Sequence, residues 1–214
     1  GGMTVAPEKM RALVVEALAP DFGGCAVREV PTPQPGPGEV LVRVRAASVN
    51  FPDLLMTRGE YQFKPPLPFT PGLDLSGEVV ALGEGVTSLA IGDAVVGGAR
   101  LGGFAEYAVL SAEALKPKPA RLSFAEGAAY GAAYLTAYVA LVRRARLEPG
   151  EWVLVHGAAG GVGLAAVDLA KALGARVIAT SASDDKLEAV QTLYAPDAVV
   201  NVTGGFRDRV KEIT

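Results

Sequence analysis

The sequence predicts a chain of mixed class, in which a β-rich unit precedes an α/β unit with a parallel sheet. Up to about Lys118, short apolar segments are separated by glycine and proline turns, as in a barrel or sandwich. After Ser123, apolar strands alternate with helical patterns, which is the order of βαβ units. We therefore place the two domains at residues 1–121 and 122–214.

The first domain contains five candidate strands. The clearest is Val40–Arg45, in which the valines share one face and the arginines share the other. The remaining candidates are Met10–Ala17, Gly77–Leu82, Asp93–Val96 and Phe104–Val109. Glycine and proline clusters such as residues 31–38 separate these strands as turns.

The second domain opens with a predicted helix over residues 123–146. Ser123 is its expected N-cap and Glu126 stands at the capping-box position. The elements predicted after it are strands 151–157, 176–180 and 198–202, helices 161–173 and 184–194, and a helix from Phe206. This order predicts the first three strands of a parallel sheet.

Composition excludes several classes of function. The 214 residues carry a formal net charge of -3, which gives no general attraction to nucleic acid or to an anionic membrane. Cys25 and His156 are the only cysteine and histidine, too few for a usual zinc site. No segment is apolar enough to span a membrane, and no signal peptide is recognised. We expect a cytoplasmic protein that has no metal site and binds neither a membrane nor nucleic acid.

A glycine-rich turn joins the strand at 151–157 to the next helix. The hexapeptide Ala158–Gly163 lacks the first glycine of the dinucleotide fingerprint G-x-G-x-x-G but keeps the other two. Backbone N–H groups at a helix start bind phosphate, and Gly163 would let the helix pack closely on the sheet. The residues expected at the diphosphate are Ala159, Gly160, Gly161, Val162 and Gly163. The alternative is a tight turn without a ligand.

The end of the second parallel strand indicates which dinucleotide would bind. An acidic residue that holds the ribose is expected about 20 residues after the glycines, and none stands at the strand tip. Ser181, Ser183 and Lys186 are found there or just beyond, and hydroxyls with a lysine suit a 2′-phosphate. We therefore favour NADP over NAD. The alternatives are a helix cap for Ser183 and a solvated surface lysine for Lys186.

Several stretches together resemble one known family. These are residues 147–163, Ser48–Asp53, Leu67–Gly77 and Leu122–Ala129. They are similar to the zinc-free quinone oxidoreductase (zeta-crystallin-like) branch of the medium-chain dehydrogenase/reductase superfamily. The resemblance implies a GroES-like catalytic domain, followed by a Rossmann domain that is incomplete here, with NADPH as the cofactor.

The resemblance also implies roles for three residues of this sequence. Asn50 would lie near the nicotinamide and help fix the cofactor or the substrate carbonyl; the alternative is a turn-capping asparagine. Tyr61 would line the acceptor pocket as a candidate proton donor, or else serve only in packing. Thr136 would lie near the nicotinamide carboxamide, or else bond back to its own helix. His156 we interpret as structural or as adjacent to the pyrophosphate.

The expected activity is transfer of hydride from NADPH to a small-molecule acceptor, a quinone or another electron-poor carbonyl. One alternative is an enone reductase that uses Tyr61 as proton donor, and another is a non-enzymatic nucleotide-binding or structural protein. A homodimer is a further expectation. Val202 stands where relatives often carry a tyrosine near the adenosine. We also expect this chain to be a piece of a longer enzyme, or the edge of the Trp152–Val155 strand to be covered by another chain.

Overall fold

The computed structural model describes residues 6–214, except for the side chain of Tyr130. The backbone separates into two compact units, one ending at Gly131 and the other beginning at Ala132. This division falls within a helix, so the domain boundary that we placed after residue 121 stays a prediction. Each unit is built around its own sheet or sheets.

The first unit contains two antiparallel sheets. Strand β1 (Lys9–Val15) pairs with β2 (Cys25–Pro31), and five further strands form a sheet of order β6-β3-β4-β5-β7. The strands of the larger sheet are β3 (Glu39–Ser48), β4 (Asp74–Leu82), β5 (Ala94–Gly98), β6 (Tyr107–Ser111) and β7 (Leu115–Pro117). All pairings are antiparallel. The predicted β-rich class of this unit is confirmed.

The core of the larger sheet is made mainly of branched aliphatic side chains. Val40 and Val42 of β3 are fully buried and pack with residues of β4, β5 and β6. The predicted alternation fails at Leu41, which is also buried, at 1% exposure. The register of β3 with β4 shifts between Leu41 and Val42, so the regular alternation of the strand is interrupted at this point.

Sequence analysis missed strands β2 and β7 and helix α1 of the first unit. Strand β2 has no buried residue, so its sequence shows no apolar alternation. Helix α1 (Phe51–Arg58) is only eight residues long, and Asn50 is its N-cap. Pro52 in its first turn is a helix-start signal that could have revealed it.

The helix predicted over residues 123–146 is α2 (Phe124–Tyr138), continued by a π-helical segment, Val139–Arg144. Its predicted capping box is confirmed, because Glu126 N–H donates to Ser123 Oγ at 3.1 Å and Ser123 N–H donates to the Glu126 carboxylate at 3.4 Å. The α-helical spacing ends early because Ala145 N–H bonds the carbonyl five residues back, on Ala140, at 2.9 Å.

The second unit alternates strands and helices as predicted. Its elements are β8 (Trp152–Val155), α3 (Gly161–Ala172), β9 (Arg176–Ser181), α4 (Asp184–Tyr194), β10 (Ala198–Asn201) and α5 (Arg207–Ile213). The three strands are parallel in the order β10-β9-β8. Their core contains Val155, Val167 and Val177. This is the first half of a dinucleotide-binding sheet, and β8 lies at its edge.

Candidate functional site

The turn between β8 and α3 is fixed by its own backbone. Gly157 has a φ of 62°, which favours glycine. Ala158 is fully buried, and its N–H donates to the Thr180 carbonyl on β9 at 3.0 Å. Gly160 N–H closes the turn on the Gly157 carbonyl at 3.0 Å. The start of α3 is therefore anchored to two strands at once.

The glycines of this turn differ in whether the protein itself requires them. A Cβ on Gly163 would lie 2.3 Å from the Gly157 carbonyl oxygen and 2.8 Å from Ala158 Cα, so only glycine fits. A Cβ on Gly161 would meet no atom within 4 Å, and one on Gly160 would make an ordinary 3.4 Å contact. Packing thus explains Gly163, tolerates a side chain at Gly160 and leaves open space beside Gly161.

The same helix start holds hydrogen-bond donors without acceptors. Within the described chain, the backbone bonds of the turn are donated by Ala158, Gly160 and Leu164. The N–H groups of Gly161, Val162 and Gly163 have no partner within the helix, because they belong to its first turn. The N-cap residue is Gly160, which has no side chain that could accept a hydrogen bond from these N–H groups. Unpaired donors beside open space fit a phosphate group.

His156 lies at the end of β8, just before this turn. Its Nδ1 atom is 2.9 Å from the hydroxyl of Thr180, a residue only 1% exposed. Its ring meets the edge of Phe206 at a centroid distance of 4.8 Å and an interplanar angle of 74°. These contacts join the ends of β8 and β9 to the residue before α5, as expected of a structural histidine.

The residues that we expect at a 2′-phosphate lie at the end of β9 and at the start of α4. Ser181 Oγ accepts the Ser183 N–H at 3.2 Å, and Ser183 Oγ accepts the Lys186 N–H at 3.4 Å. Ser183 is thus the N-cap of α4, the alternative given above. The Lys186 side chain is exposed and forms no ion pair with any described residue. Both hydroxyls keep their own hydrogens for a ligand.

Thr136 is exposed on α2, and its hydroxyl donates to the Ala132 carbonyl at 2.8 Å. This hydrogen bond to its own helix is the alternative to a cofactor contact.

Asn201, at the end of β10, donates to Asp184 at 2.9 Å and accepts the Thr203 N–H at 2.9 Å. Its amide therefore orders the loop after β10 and ties it to α4.

In the first unit, Asn50 lies in a network of carboxylates. Its backbone N–H donates to Asp53 Oδ2 at 2.9 Å, and its amide Nδ2 donates to Asp74 Oδ2 at 2.9 Å and to Ser48 Oγ at 3.2 Å. An amide nitrogen has two hydrogens, so both are used. The Asn50 amide therefore offers only its oxygen, as an acceptor, to any further partner.

The pKa of each of the two carboxyl groups in this network, Asp53 and Asp74, is raised. Burial raises the pKa of Asp53, against the lowering effect of N–H donors on Asn50, Gly72 and Leu73. Burial likewise raises the pKa of Asp74, and the nearby charge of Asp53 raises it further, while the Asn50 amide opposes both. Sequence reasoning missed both acids. The spacing from Asn50 to Asp53 is a capping-box signal, but nothing in the sequence pairs Asn50 with Asp74.

Tyr61 lines a pocket of about 400 Å³ in the first unit, together with Gln62, Phe63, Leu73 and Arg100. Its ring packs against the buried cluster of Val15, Met56 and Phe69. Within the described residues the Tyr61 hydroxyl makes no hydrogen bond, so it can donate one to a ligand. Asn50 and Tyr61 thus lie in the first unit, and the other predicted residues lie in the second.

Residues 6–214 contain no group of three or more His, Cys, Asp or Glu side chains placed to hold a metal ion. The same part of the chain has no helix whose length and hydropathy suit a membrane crossing.

Comparisons with known proteins agree with this architecture. The family model of the alcohol dehydrogenase GroES-like domain matches residues 36–120, and that of the zinc-binding dehydrogenase matches residues 161–214. A quinone oxidoreductase-like protein 2 homolog of Nematostella vectensis is 46% identical over 84% of this chain and 49% of its own length. The quinone oxidoreductase of Sus scrofa is 39% identical over 89% of this chain and 60% of its own length.

A solved structure described as an NAD-dependent alcohol dehydrogenase matches with a TM-score of 0.88 at 38% identity, over 96% of this chain and 67% of that one. The antiparallel unit, the glycine turn and these matches place the chain in the medium-chain dehydrogenase/reductase superfamily. Within it, the chain belongs to the quinone oxidoreductase branch, which confirms the resemblance stated from the sequence. The chain spans 49% to 60% of the length of the two curated relatives. The family implies a nicotinamide cofactor.

Proposed function

We propose that this chain provides cofactor and acceptor sites of an NADPH-dependent, zinc-free oxidoreductase, which passes hydride to a quinone or another electron-poor carbonyl. The observation that carries the proposal is the start of α3, where first-turn donors lie beside the open space at Gly161. A diphosphate would accept hydrogen bonds from the N–H groups of Gly161, Val162 and Gly163. The names of the relatives support an oxidoreductase that acts on quinones.

The protein's own contribution is binding and orientation. Reduced nicotinamide, when bound, supplies the hydride. Asn50 presents an amide oxygen, because Asp74 and Ser48 occupy its hydrogens. We therefore assign Asn50 to a donor group of the cofactor, such as a hydroxyl or the carboxamide, and not to the substrate carbonyl, the other partner expected from the sequence. Thr136 can act as an acceptor in the same way, since its hydrogen is engaged with Ala132.

The preference for NADPH rests on Ser181, Ser183 and Lys186, which lie together without a carboxylate at the strand tip. One comparison favours the other cofactor, since a matching structure is described as NAD-dependent. Replacing Lys186 by Ala decides between them. We expect about fivefold weaker NADPH binding with NADH binding unchanged, because an exposed charge pair contributes about 1 kcal/mol. Equal weakening of both cofactors would remove Lys186 from the 2′-phosphate site.

Reduction of a carbon–carbon double bond is the second candidate, favoured by the unbonded Tyr61 hydroxyl at its pocket. Hydride would add to the β-carbon of an enone and a proton from Tyr61 to the α-carbon. Replacing Tyr61 by Phe should slow enone reduction by about a hundredfold, the usual size of a general-acid contribution, and leave quinone reduction nearly unchanged. If both reactions slow equally, Tyr61 is not the proton donor.

Calorimetry and turnover test the proposal as a whole. Both are measured on this 214-residue chain and on any longer natural form, with 1,4-benzoquinone and an enone as acceptors. NADPH binding with consumption of either acceptor supports the oxidoreductase. Binding without turnover supports the non-enzymatic alternative. No heat with either form of NADP would refute the nucleotide site. Size-exclusion chromatography of the same samples tests the expected homodimer.

A further inference from the structure

The pocket at Tyr61 is lined by a single positively charged side chain. Of the five residues that line it, only Arg100 carries a formal charge at neutral pH, and none is acidic. The Arg100 guanidinium lies 5.1 Å from the centroid of the Phe63 ring. Within the part of the chain that the structure describes, Arg100 forms no ion pair and donates no hydrogen bond. Its five N–H donors are therefore available.

Three other exposed arginines of the first unit, Arg11, Arg28 and Arg45, each pair with a glutamate, at 3.4, 2.7 and 3.0 Å. Arg58 forms no ion pair with any described residue and, like Arg100, lies over an aromatic ring, at 5.9 Å from the Phe22 centroid. The ring beneath Arg100, that of Phe63, lines a pocket without carboxylates. Stacking of this kind orders the guanidinium plane while leaving its edge free for a planar anion.

The walls of the pocket are apolar and anchored. Tyr61, Phe63 and Leu73 all pack against the buried cluster of Val15, Met56 and Phe69. Two aromatic rings and a leucine suit a flat, unsaturated molecule, and the Tyr61 hydroxyl adds one donor. A bidentate guanidinium at the same pocket suits a carboxylate on that molecule.

We infer that Arg100 makes the pocket selective for acceptors that carry a carboxylate. The acceptor lies against Tyr61 and Phe63, and its carboxylate takes two N–H bonds from Arg100. Arg100 is a specificity residue: it contacts a part of the acceptor that does not react. The inference rests on the proposed function, because it names the class of acceptor that the same pocket takes.

A matched pair of acceptors tests it: 4-oxopent-2-enoate and its methyl ester, which differ chiefly in charge. For each variant, kcat/KM for the acid is divided by kcat/KM for the ester. We expect Arg100→Gln to lower this ratio about tenfold, the lower end for a charge-assisted bond at an accessible site. Arg100→Lys should restore part of the loss, because a lysine keeps the charge without the bidentate geometry.

Lys64→Gln is the matched control. Lys64 is an exposed cation next to Phe63 in sequence, and it does not line the pocket. Its loss should leave the ratio unchanged. An equal fall of the ratio in Lys64→Gln would show a general surface-charge effect and overturn the inference. An unchanged ratio in Arg100→Gln would overturn it as well.

Ligand-observed NMR of the acid without any cofactor separates this inference from the proposed function. We expect saturation transfer to the acid in the wild type and little in Arg100→Gln. If that difference is seen and no acceptor is reduced, the oxidoreductase proposal fails while the carboxylate site stands. If the wild type reduces the ester and does not bind the acid, the carboxylate site fails while the oxidoreductase stands.

Discussion

Helix α1 of the first unit and helix α3 of the second both begin beside candidate site residues, and their first turns are built differently. At α1, Asp53 accepts the Asn50 N–H at 2.9 Å and the Gly72 N–H at 3.1 Å, and Asn50 itself is held by Asp74. At α3, the N-cap is Gly160, and no side chain accepts from the first turn.

The difference shows where side chains of the protein accept the backbone N–H groups and where these groups are left for a ligand. Helix α1 starts in a network closed by carboxylates, so its Asn50 can offer only an acceptor. Helix α3 starts with unpaired donors and with open space beside Gly161. The first arrangement positions a side chain, whereas the second suits an anion. Four predictions test this contrast, from the largest expected effect to the smallest.

Replacing Asp53 by Ala should have the largest effect. Asp53 is 1% exposed and accepts N–H groups of Asn50, Gly72 and Leu73. All three would lose this partner, and the Gly72 N–H would be left buried. We expect the free energy of unfolding to fall by about 3 kcal/mol, as measured by denaturant titration. Asp93→Ala is the control, since Asp93 accepts one N–H, from Ala90, at a solvent-accessible turn. Similar losses in the two variants would contradict the closed network.

Replacing Gly163 by Ala should disturb the start of α3 itself. The new Cβ would overlap the Gly157 carbonyl oxygen, a backbone atom that cannot move without breaking the turn. We expect a loss of about 2 kcal/mol in unfolding free energy, together with weaker NADPH binding. A wild-type melting temperature for this variant would show that the turn is looser than the structure indicates.

Replacing Gly161 by Ala separates the ligand from the fold. The Cβ meets no atom within 4 Å, so stability should stay the same or rise slightly. NADPH affinity, measured by calorimetry, should fall about tenfold because the methyl group occupies the space proposed for phosphate, a change of about 1.4 kcal/mol. Unchanged affinity would mean that the diphosphate does not lie at Gly161.

The smallest expected effect is on the pH dependence of stability, through Asp74, which holds the Asn50 amide at the start of α1. Burial raises the pKa of Asp74, so the folded state keeps this proton to a higher pH than the unfolded state, whose pKa is about 3.9. Between the two values the folded state binds more protons, and stability falls as pH rises. Asp74→Asn should therefore gain stability relative to wild type as pH rises through this window, in paired denaturant titrations.

Asp197 of the second unit gives the opposite sign as a control. The Val177 N–H lowers its pKa, with a smaller contribution from Lys171. Its stabilising contribution is present above the unfolded pKa and is lost as pH falls through the folded one. Asp197→Asn should remove this loss of stability at low pH. If both variants change the pH profile in the same direction, burial is not what distinguishes Asp74.

Much of the second unit could be predicted because each element has a local signal. The strands are apolar, helix α4 has Ser183 at its start, and glycines mark the turn before α3. Less of the first unit could be predicted. Strand β2 is stabilised by pairing with β1 while its side chains stay largely exposed, and α1 is short. Periodicity does not report pairing of that kind.

The sequence by itself determined the order of elements in the second unit, the glycine turn and the family, because these depend on residue types at fixed local spacings. Only the tertiary structure showed that Gly163 is required by packing while Gly161 faces open space, because that depends on distances to atoms of other residues. Only it showed that Asp74, on β4, fixes the Asn50 amide, and that Arg100 shares a pocket with Tyr61. Residues far apart along the chain become neighbours through sheet pairing, and no local pattern encodes that proximity.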